Sequence, residues 1–367
     1  MKLFKGRAVA LQIVSKRAMV NGVMSMKFKE EKHISEPYKM QYLEGLETLV
    51  NGLEQETMQG RVAIWKDMMI DKEKYRLQFA ELLGWPLTQE REHIPCAVVS
   101  QRLSQESDCI VERMQFTVLK GVVMTGLLFC HDESTKRPFV LIQHGGSGTP
   151  ELISGAYGST SNYNDMLERV FRQGANVFAP QLLLWSKEQY QPDYDREVLD
   201  SRLKNVGSSI TAVEVYFLMR VLDYFAQQPW VGNIGMVGLS YGGFYTQLLA
   251  ALDTRIKASV SCSYFCDAAH WARTDWSFRN IAKSFGEAEL ACLVHPRKLF
   301  LEMGNEDNLF DYRKSIAEYE RIRLICGNDT EDWLEFTVFD GNHEFYKEDK
   351  HIEKFMAYLR KENLELR

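Results

Sequence analysis

The chain has 367 residues, of which 45% are hydrophobic and 26% charged. These are ordinary globular values, and they exclude a largely disordered or fibrous protein. The 44 basic residues against 50 acidic ones leave a net charge of −6, which argues against a general nucleic-acid binder with its basic face. No stretch approaches the ~18 consecutive apolar residues of a membrane-spanning helix, so the chain reads as soluble, with no membrane partner.

The first twenty residues carry Lys2, Lys5, Arg7, Lys16 and Arg17 around the short run Ala8–Val14, which Gln12 interrupts. A secretory leader needs a clean apolar core and a small-residue cleavage site; neither is read here. Seven cysteines (Cys96, Cys109, Cys130, Cys262, Cys266, Cys292 and Cys326) form no CxxC pair. An odd, scattered set suits a reducing cytoplasm. Cys262 and Cys266 read as buried thiols, because no second pair or histidine cluster completes a metal site. No metal or organic cofactor is expected. Asn328-Asp329-Thr330 matches a glycosylation sequon, a coincidence in a cytoplasmic protein.

Residues 1–95 read as a helical extension. From Tyr38 to Leu83 apolar residues recur at spacings of three and four, through Leu43, Leu46, Leu49, Leu53, Val62, Trp65 and Met69. Gly84-Trp85-Pro86 ends the run. From residue 96 to 367 the period changes. Val111–Val118 and Val122–Phe129, joined by Lys120-Gly121, predict a β-hairpin. Apolar strands then alternate with helices. Strands are expected at Phe139–Gln143, Asn176–Ala179, Ile234–Val237, Ala258–Cys262, Leu299–Met303 and Leu334–Phe339. Helices are expected at Tyr163–Gln173, Ile210–Gln228, Phe244–Leu252, Asp311–Ile325 and Lys350–Glu362. Continuously apolar strands alternating with helices predict an α/β fold, a mostly parallel sheet with helices on both faces.

One motif carries chemistry. Gly238-Leu239-Ser240-Tyr241-Gly242 falls between a predicted strand and a predicted helix. A serine on such a strained turn is lifted clear of the sheet, and flanking glycines leave room for the neighbouring backbone. A chance GxSxG match is expected roughly 0.09 times at this chain's composition, so the strand–turn–helix context matters as much as the letters. The alternative is a plain turn serine. Partners follow in the chain order Ser, Asp, His. Asp307 lies 67 residues after Ser240, at the end of one strand, and His343 a further 36 residues on, after the last strand. Sheets of this kind place ligands at the carboxyl ends of their strands. His343 would take the proton from Ser240, and Asp307 would orient the imidazole. Glu306, Glu302 and Asp267 compete with Asp307 for that role. Asp340 reads as a turn residue, and His351, within the closing helix, as solvated. Backbone N–H groups of Tyr241 and Gly146 would bind the oxyanion, the latter from the loop His144-Gly145-Gly146-Ser147-Gly148. That loop could instead be a ligand-free glycine turn; it matches no phosphate-binding pattern.

Ser240 within Gly238–Gly243, the His144-Gly145-Gly146 loop, Asp307 and His343 resemble the α/β-hydrolase superfamily over roughly residues 110–365. The string from Gly238 to Thr246, with Ala250–Lys257, is similar to the dienelactone-hydrolase and acetyl-xylan-esterase-like branch. Dienelactone hydrolases proper use a cysteine nucleophile; this chain has serine, so the resemblance implies esterase chemistry. Ser-Tyr-Gly-Gly-Phe also resembles prolyl-oligopeptidase-type serine peptidases. Those carry a β-propeller ahead of the hydrolase domain, whereas here the preceding residues read as helices.

Two cap-like insertions are expected, at about 182–205 and 265–296. They hold Trp185, Tyr190, Tyr194, His270, Trp271, Trp276 and Phe278. These residues could line an acyl or sugar pocket, or simply pack. Arg273, Arg279 and Arg297 could bind a carboxylate or form structural ion pairs. The leading expectation is a serine hydrolase of carboxylic esters acting through an acyl-enzyme, on a small-molecule ester such as an acetylated sugar. The alternatives are a peptidase or amidase with the same triad, and a non-catalytic binding protein on a hydrolase scaffold. The oligomeric state, including a homo-oligomer built on the N-terminal helices, is left open.

Overall fold

The computed structural model describes residues 19–20, 23–24, 29–89, 96–106, 108–184, 194–266 and 273–361. The candidate leader segment, Trp185, Tyr190, Asp267, His270 and Trp271 lie outside the described residues. The chain divides into two compact units, Met1–Glu56 and Thr57–Arg367. The first contains a minimal antiparallel ladder of Met19–Val20 with Val23–Met24 and most of helix α1 (Lys32–Val62). The second begins with the end of α1, followed by α2 (Trp65–Ile70) and α3 (Lys72–Leu83). The Asp71 carboxylate caps α3 by accepting from the Lys74 N–H at 3.1 Å.

Among the described residues the rest of this unit is built on nine strands: β1 (Ala97–Gln105), β2 (Ile110–Leu119), β3 (Val122–Cys130), β4 (Arg137–Gln143), β5 (Asn176–Pro180), β6 (Val231–Leu239), β7 (Ile256–Cys262), β8 (Lys298–Gly304) and β9 (Leu334–Phe339). Their order across the sheet is β9-β8-β7-β6-β4-β5-β3-β2-β1. The run from β9 to β5 is parallel, and the strands from β3 to β1 are antiparallel. The β2–β3 hairpin turns at Lys120-Gly121, as its composition predicts. Strand β1 was not anticipated. Its side chains are mostly exposed, so it has no apolar face to read, and only pairing with β2 defines it.

Between the strands run α4 (Pro150–Ile153), α5 (Met166–Arg172), α6 (Arg196–Lys204), α7 (Ile210–Phe225), α8 (Tyr241–Leu252), α9 (Glu287–Cys292), α10 (Tyr312–Cys326), α11 (Thr330–Trp333) and α12 (Lys350–Leu359). The single helix expected over Tyr163–Gln173 is split. Asn164 and Asp165 adopt φ of 47° and 55° between a 3-10 turn (Ser161–Tyr163) and α5. Asn and Asp tolerate this left-handed region better than other side chains, and Asn164 is held there by bonds described below.

Both sheet faces are covered. On one, α3, α7, α8 and α9 bury Phe79, Phe217, Phe225, Tyr245 and Leu290. On the other, α5 and α12 bury Met166, Val170, Phe355 and Met356 against β4, β6 and β7. Phe225 centres the first layer: its ring lies 4.3 Å from that of Phe139, 5.3 Å from Phe178 and 5.9 Å from Trp230. Phe225→Ala is therefore expected to destabilise the fold by about 3–5 kcal/mol, measured as a lowered urea midpoint.

Candidate active site

The sheet delivers the motif serine on a turn between β6 and α8. Ser240 has φ 59° and ψ −121°, a region a non-glycine residue occupies only under constraint. The glycines around it are forced by contact. A Cβ at 238 would lie 2.2 Å from Gly242 O, and one at 242 would lie 2.1 Å from Gln143 O. The Ser240 N–H donates to Cys262 O at 2.9 Å, which pins the turn to the end of β7. Helix α8 begins at Tyr241, whose N–H belongs to the first helical turn.

Asp307 and His343 come together in the loops after β8 and β9. His343 Nδ1 donates to Asp307 Oδ2 at 2.8 Å. The Asp307 carboxyl is wholly buried, and its Oδ1 accepts from the N–H groups of Leu309 (2.8 Å) and Phe310 (3.0 Å). Phe310 packs its ring 5.6 Å from the imidazole. The two loops are stitched by Asn305 N–H to Phe339 O and Glu306 N–H to Gly341 O, each 2.9 Å. Among the described residues, Ser240 Oγ makes no hydrogen bond to the imidazole; such bonds are often loose before substrate binds. The two segments are nonetheless joined: Cys262 Sγ (3.3 Å) and Ser263 Oγ (3.1 Å) both donate to Glu344 O, the residue after His343.

Among the described residues neither rival acid, Glu306 or Glu302, bonds the His343 imidazole. Glu306 is exposed. Asp340 is exposed and accepts from Asn305 Nδ2 at 3.3 Å, a turn contact. Glu302 is buried and receives His351 Nδ1 at 2.8 Å. His351 is only 2% exposed, which corrects the expectation of a solvated residue. Its turn of α12 faces β8, where Glu302 supplies the polar partner a buried imidazole needs.

The glycine loop after β4 runs against the serine turn: a Cβ on Gly145 would lie 3.2 Å from Ser240 Cβ. Three residues the sequence reading passed over hold it there. Tyr163 Oη accepts the Gly145 N–H at 2.8 Å, and a Cβ on Gly148 would collide with that same hydroxyl at 2.2 Å. Asn162 Nδ2 donates to His343 O (2.9 Å), and Asn162 O accepts from Phe345 N–H (2.8 Å). Asn164 Nδ2 donates to Phe345 O (2.6 Å) and Glu344 Oε2 (3.0 Å). One short segment thus braces both the glycine loop and the histidine loop. Nothing in its composition distinguishes it from an ordinary polar turn.

His144 anchors the other end of the glycine loop. It is fully buried. Its Nδ1 donates to Gly145 O at 2.8 Å, and its Nε2 accepts the Leu182 N–H at 3.1 Å. The bond at Nε2 requires the neutral ring with its proton on Nδ1, and burial pushes its pKa down to about 4.

Beneath Tyr241 lies a buried charged cluster. The Tyr241 hydroxyl donates to Asp275 Oδ2 at 2.8 Å. Arg196 donates to the same oxygen at 2.7 Å and forks onto Glu214 at 3.0 and 2.8 Å. Arg273 stands 5.3 Å over the Tyr241 ring and 3.4 Å from Asp275. Trp276 packs 4.9 Å from the same ring. Trp276 and Phe278 are buried side chains of the core. Arg297 is 1% exposed and donates to Asp253 O, Ile256 O and Leu293 O, so it serves main-chain carbonyls. Arg279 is exposed. Cys262 and Cys266 are buried free thiols.

Residues 134–287 match the model of the dienelactone hydrolase family. The fold is that of the α/β-hydrolases. The chain is 29% identical over 252 residues, 64% of its length, to a Bacillus subtilis protein named "Putative hydrolase YtaP", covering 81% of that protein. Among solved structures it resembles "a putative acetyl xylan esterase" from Bacteroides fragilis, with TM-score 0.59 and 18% identity over 74% of this chain and 76% of that one. It also resembles a glucuronoyl esterase from Solibacter usitatus, with TM-score 0.60 and 12% identity over 81% and 94%. Among the described residues no helix is long and apolar enough to cross a membrane.

Two outcomes are expected. Tyr163→Phe leaves the Gly145 N–H without its acceptor, so kcat of hydrolysis should fall roughly 10- to 100-fold with KM little changed. The depressed pKa of His144 means the unfolded chain binds a proton more readily than the folded one. Stability is therefore complete above the ordinary histidine value of 6.5 and is lost as pH falls toward about 4, by on the order of 3 kcal/mol. Urea denaturation across that range should show the loss in the parent chain and a flatter profile in His144→Gln.

Proposed function

We propose that this protein, an esterase-type hydrolase, cleaves carboxylic esters through Ser240, His343 and Asp307. The observation that carries the reading is the buried Asp307–His343 pair at 2.8 Å, seated in adjacent strand-end loops tied to the strained turn that presents Ser240. His343 Nε2 removes the Ser240 proton as Oγ attacks the ester carbonyl. It then returns that proton to the departing alcohol, leaving an acyl-serine. Water, deprotonated by the same nitrogen, releases the acid and restores Ser240. Asp307 holds Nδ1–H and stabilises the imidazolium. The N–H groups of Tyr241 and Gly146 receive the oxyanion.

An ester substrate is favoured over a peptide. The esterases it resembles act, by their names, on acetylated xylan and glucuronoyl esters, so a small or acetylated-carbohydrate ester is the substrate class to try first.

The test is hydrolysis of p-nitrophenyl acetate, butyrate and octanoate beside an aminoacyl p-nitroanilide. Ester turnover should exceed amide turnover. Ser240→Ala should bring it to background, and Asp307→Asn should lower kcat by roughly 10³–10⁴-fold. Ester turnover persisting in Ser240→Ala would overturn the assignment. Amide turnover equal to the ester rate would favour the peptidase reading.

A further inference from the structure

Away from this site, two cysteines meet at the ends of two packed helices. Cys292 is the last residue of α9 and Cys326 the last of α10. Their sulfurs stand 3.4 Å apart, beyond the about 2.05 Å of a disulfide yet too close for another atom to lie between them. Met69 Sδ completes the sulfur-rich corner, 4.0 Å from Cys326 Sγ. The two thiols are unequal. Cys292 is fully buried, whereas Cys326 is partly open to solvent. Burial pushes Cys292 up. A hydrogen bond from Cys292, aided by the Lys72 ammonium, pulls Cys326 below its ordinary value. The accessible partner therefore has the greater thiolate character, and the buried one is poised behind it.

We propose that Cys292 and Cys326 form a reversible dithiol–disulfide pair whose oxidant is a hydroperoxide. The Cys326 thiolate attacks the terminal peroxide oxygen and breaks the O–O bond. The leaving oxygen takes up a proton as water or alcohol, and Cys326 becomes a sulfenic acid. Cys292 sulfur then displaces that hydroxyl, which departs as water with the Cys292 proton. Two electrons pass from the two thiols to one O–O bond, and the products are one disulfide, one water and one water or alcohol. The new bond ties the end of the 265–296 insertion to α10, the helix that follows the Asp307 loop, so the oxidised protein has a higher Tm. A thiol reductant reverses the step.

The experiment treats the full native chain with one equivalent of hydrogen peroxide. Remaining thiols are then capped with iodoacetamide and the peptides mapped by mass spectrometry. The expected result is a single cross-linked species joining the Cys292 and Cys326 peptides within one chain, lighter by two hydrogens and lost on reduction. Cys326→Ser abolishes it, and Cys292→Ser leaves a Cys326 sulfenic acid that dimedone captures. Both cysteines remaining capped as in untreated protein would overturn the proposal. So would a cross-link between chains, or sulfinic acid at Cys326 without a cross-link. The parent-chain map decides the question by itself if a serine variant fails to fold.

Discussion

The structure depends on one steric constraint, the reversal of the chain between β6 and α8. There is no room for a Cβ at Gly238 or Gly242, and Ser240, midway between them, is held at φ 59°. Strain of this kind costs of order 1–3 kcal/mol and persists only when the surroundings over-determine it. The surroundings here are the sheet itself. β6 sits between β4 and β7, so the turn is pressed by Gln143 and His144 on one side and bonded to Cys262 on the other. Parallel register then sets where every other strand-end loop falls relative to Ser240.

A second consequence of that register is that the loops must be tied laterally. The aspartate and histidine loops bond to each other because β8 and β9 are neighbours. The glycine loop lies on the far side of Ser240 and cannot reach them. Asn162, Tyr163 and Asn164 span that gap, with main-chain and side-chain bonds to both. The left-handed conformation of Asn164 follows from this: a continuous helix would carry its amide away from Phe345 and Glu344.

The charge cluster around Tyr241 shows the same economy. Burying Arg196, Glu214 and Asp275 is costly unless every charge is paired. Here the guanidinium meets both carboxylates, and Tyr241 and Tyr245 supply further bonds. The network fixes the first turn of α8 from below, joining residues more than 70 positions apart.

Much of this was legible in the residues. Apolar runs of uniform character marked β4 through β9, and a change of period marked the helices before them. The GxSxG string placed the serine, and chain order with strand ends singled out Asp307 and His343. These are local signals: hydrophobic periodicity, and glycines that leave no alternative backbone. Strand β1 was not legible, because an exposed edge strand has no buried face to pattern its side chains. Neither was the burial of His351 against Glu302, since a lone histidine on a helix looks the same whether its face meets water or a strand. The brace of Asn162 to Asn164, the neutral anchor of His144 and the Cys292–Cys326 contact all pair residues far apart in the chain. Sequence alone determined most of the core strands and longer helices and the chemical groups they carry. Which groups touch was decided only by the tertiary structure, because contact is a property of strand order and register, and neither is written in any one segment.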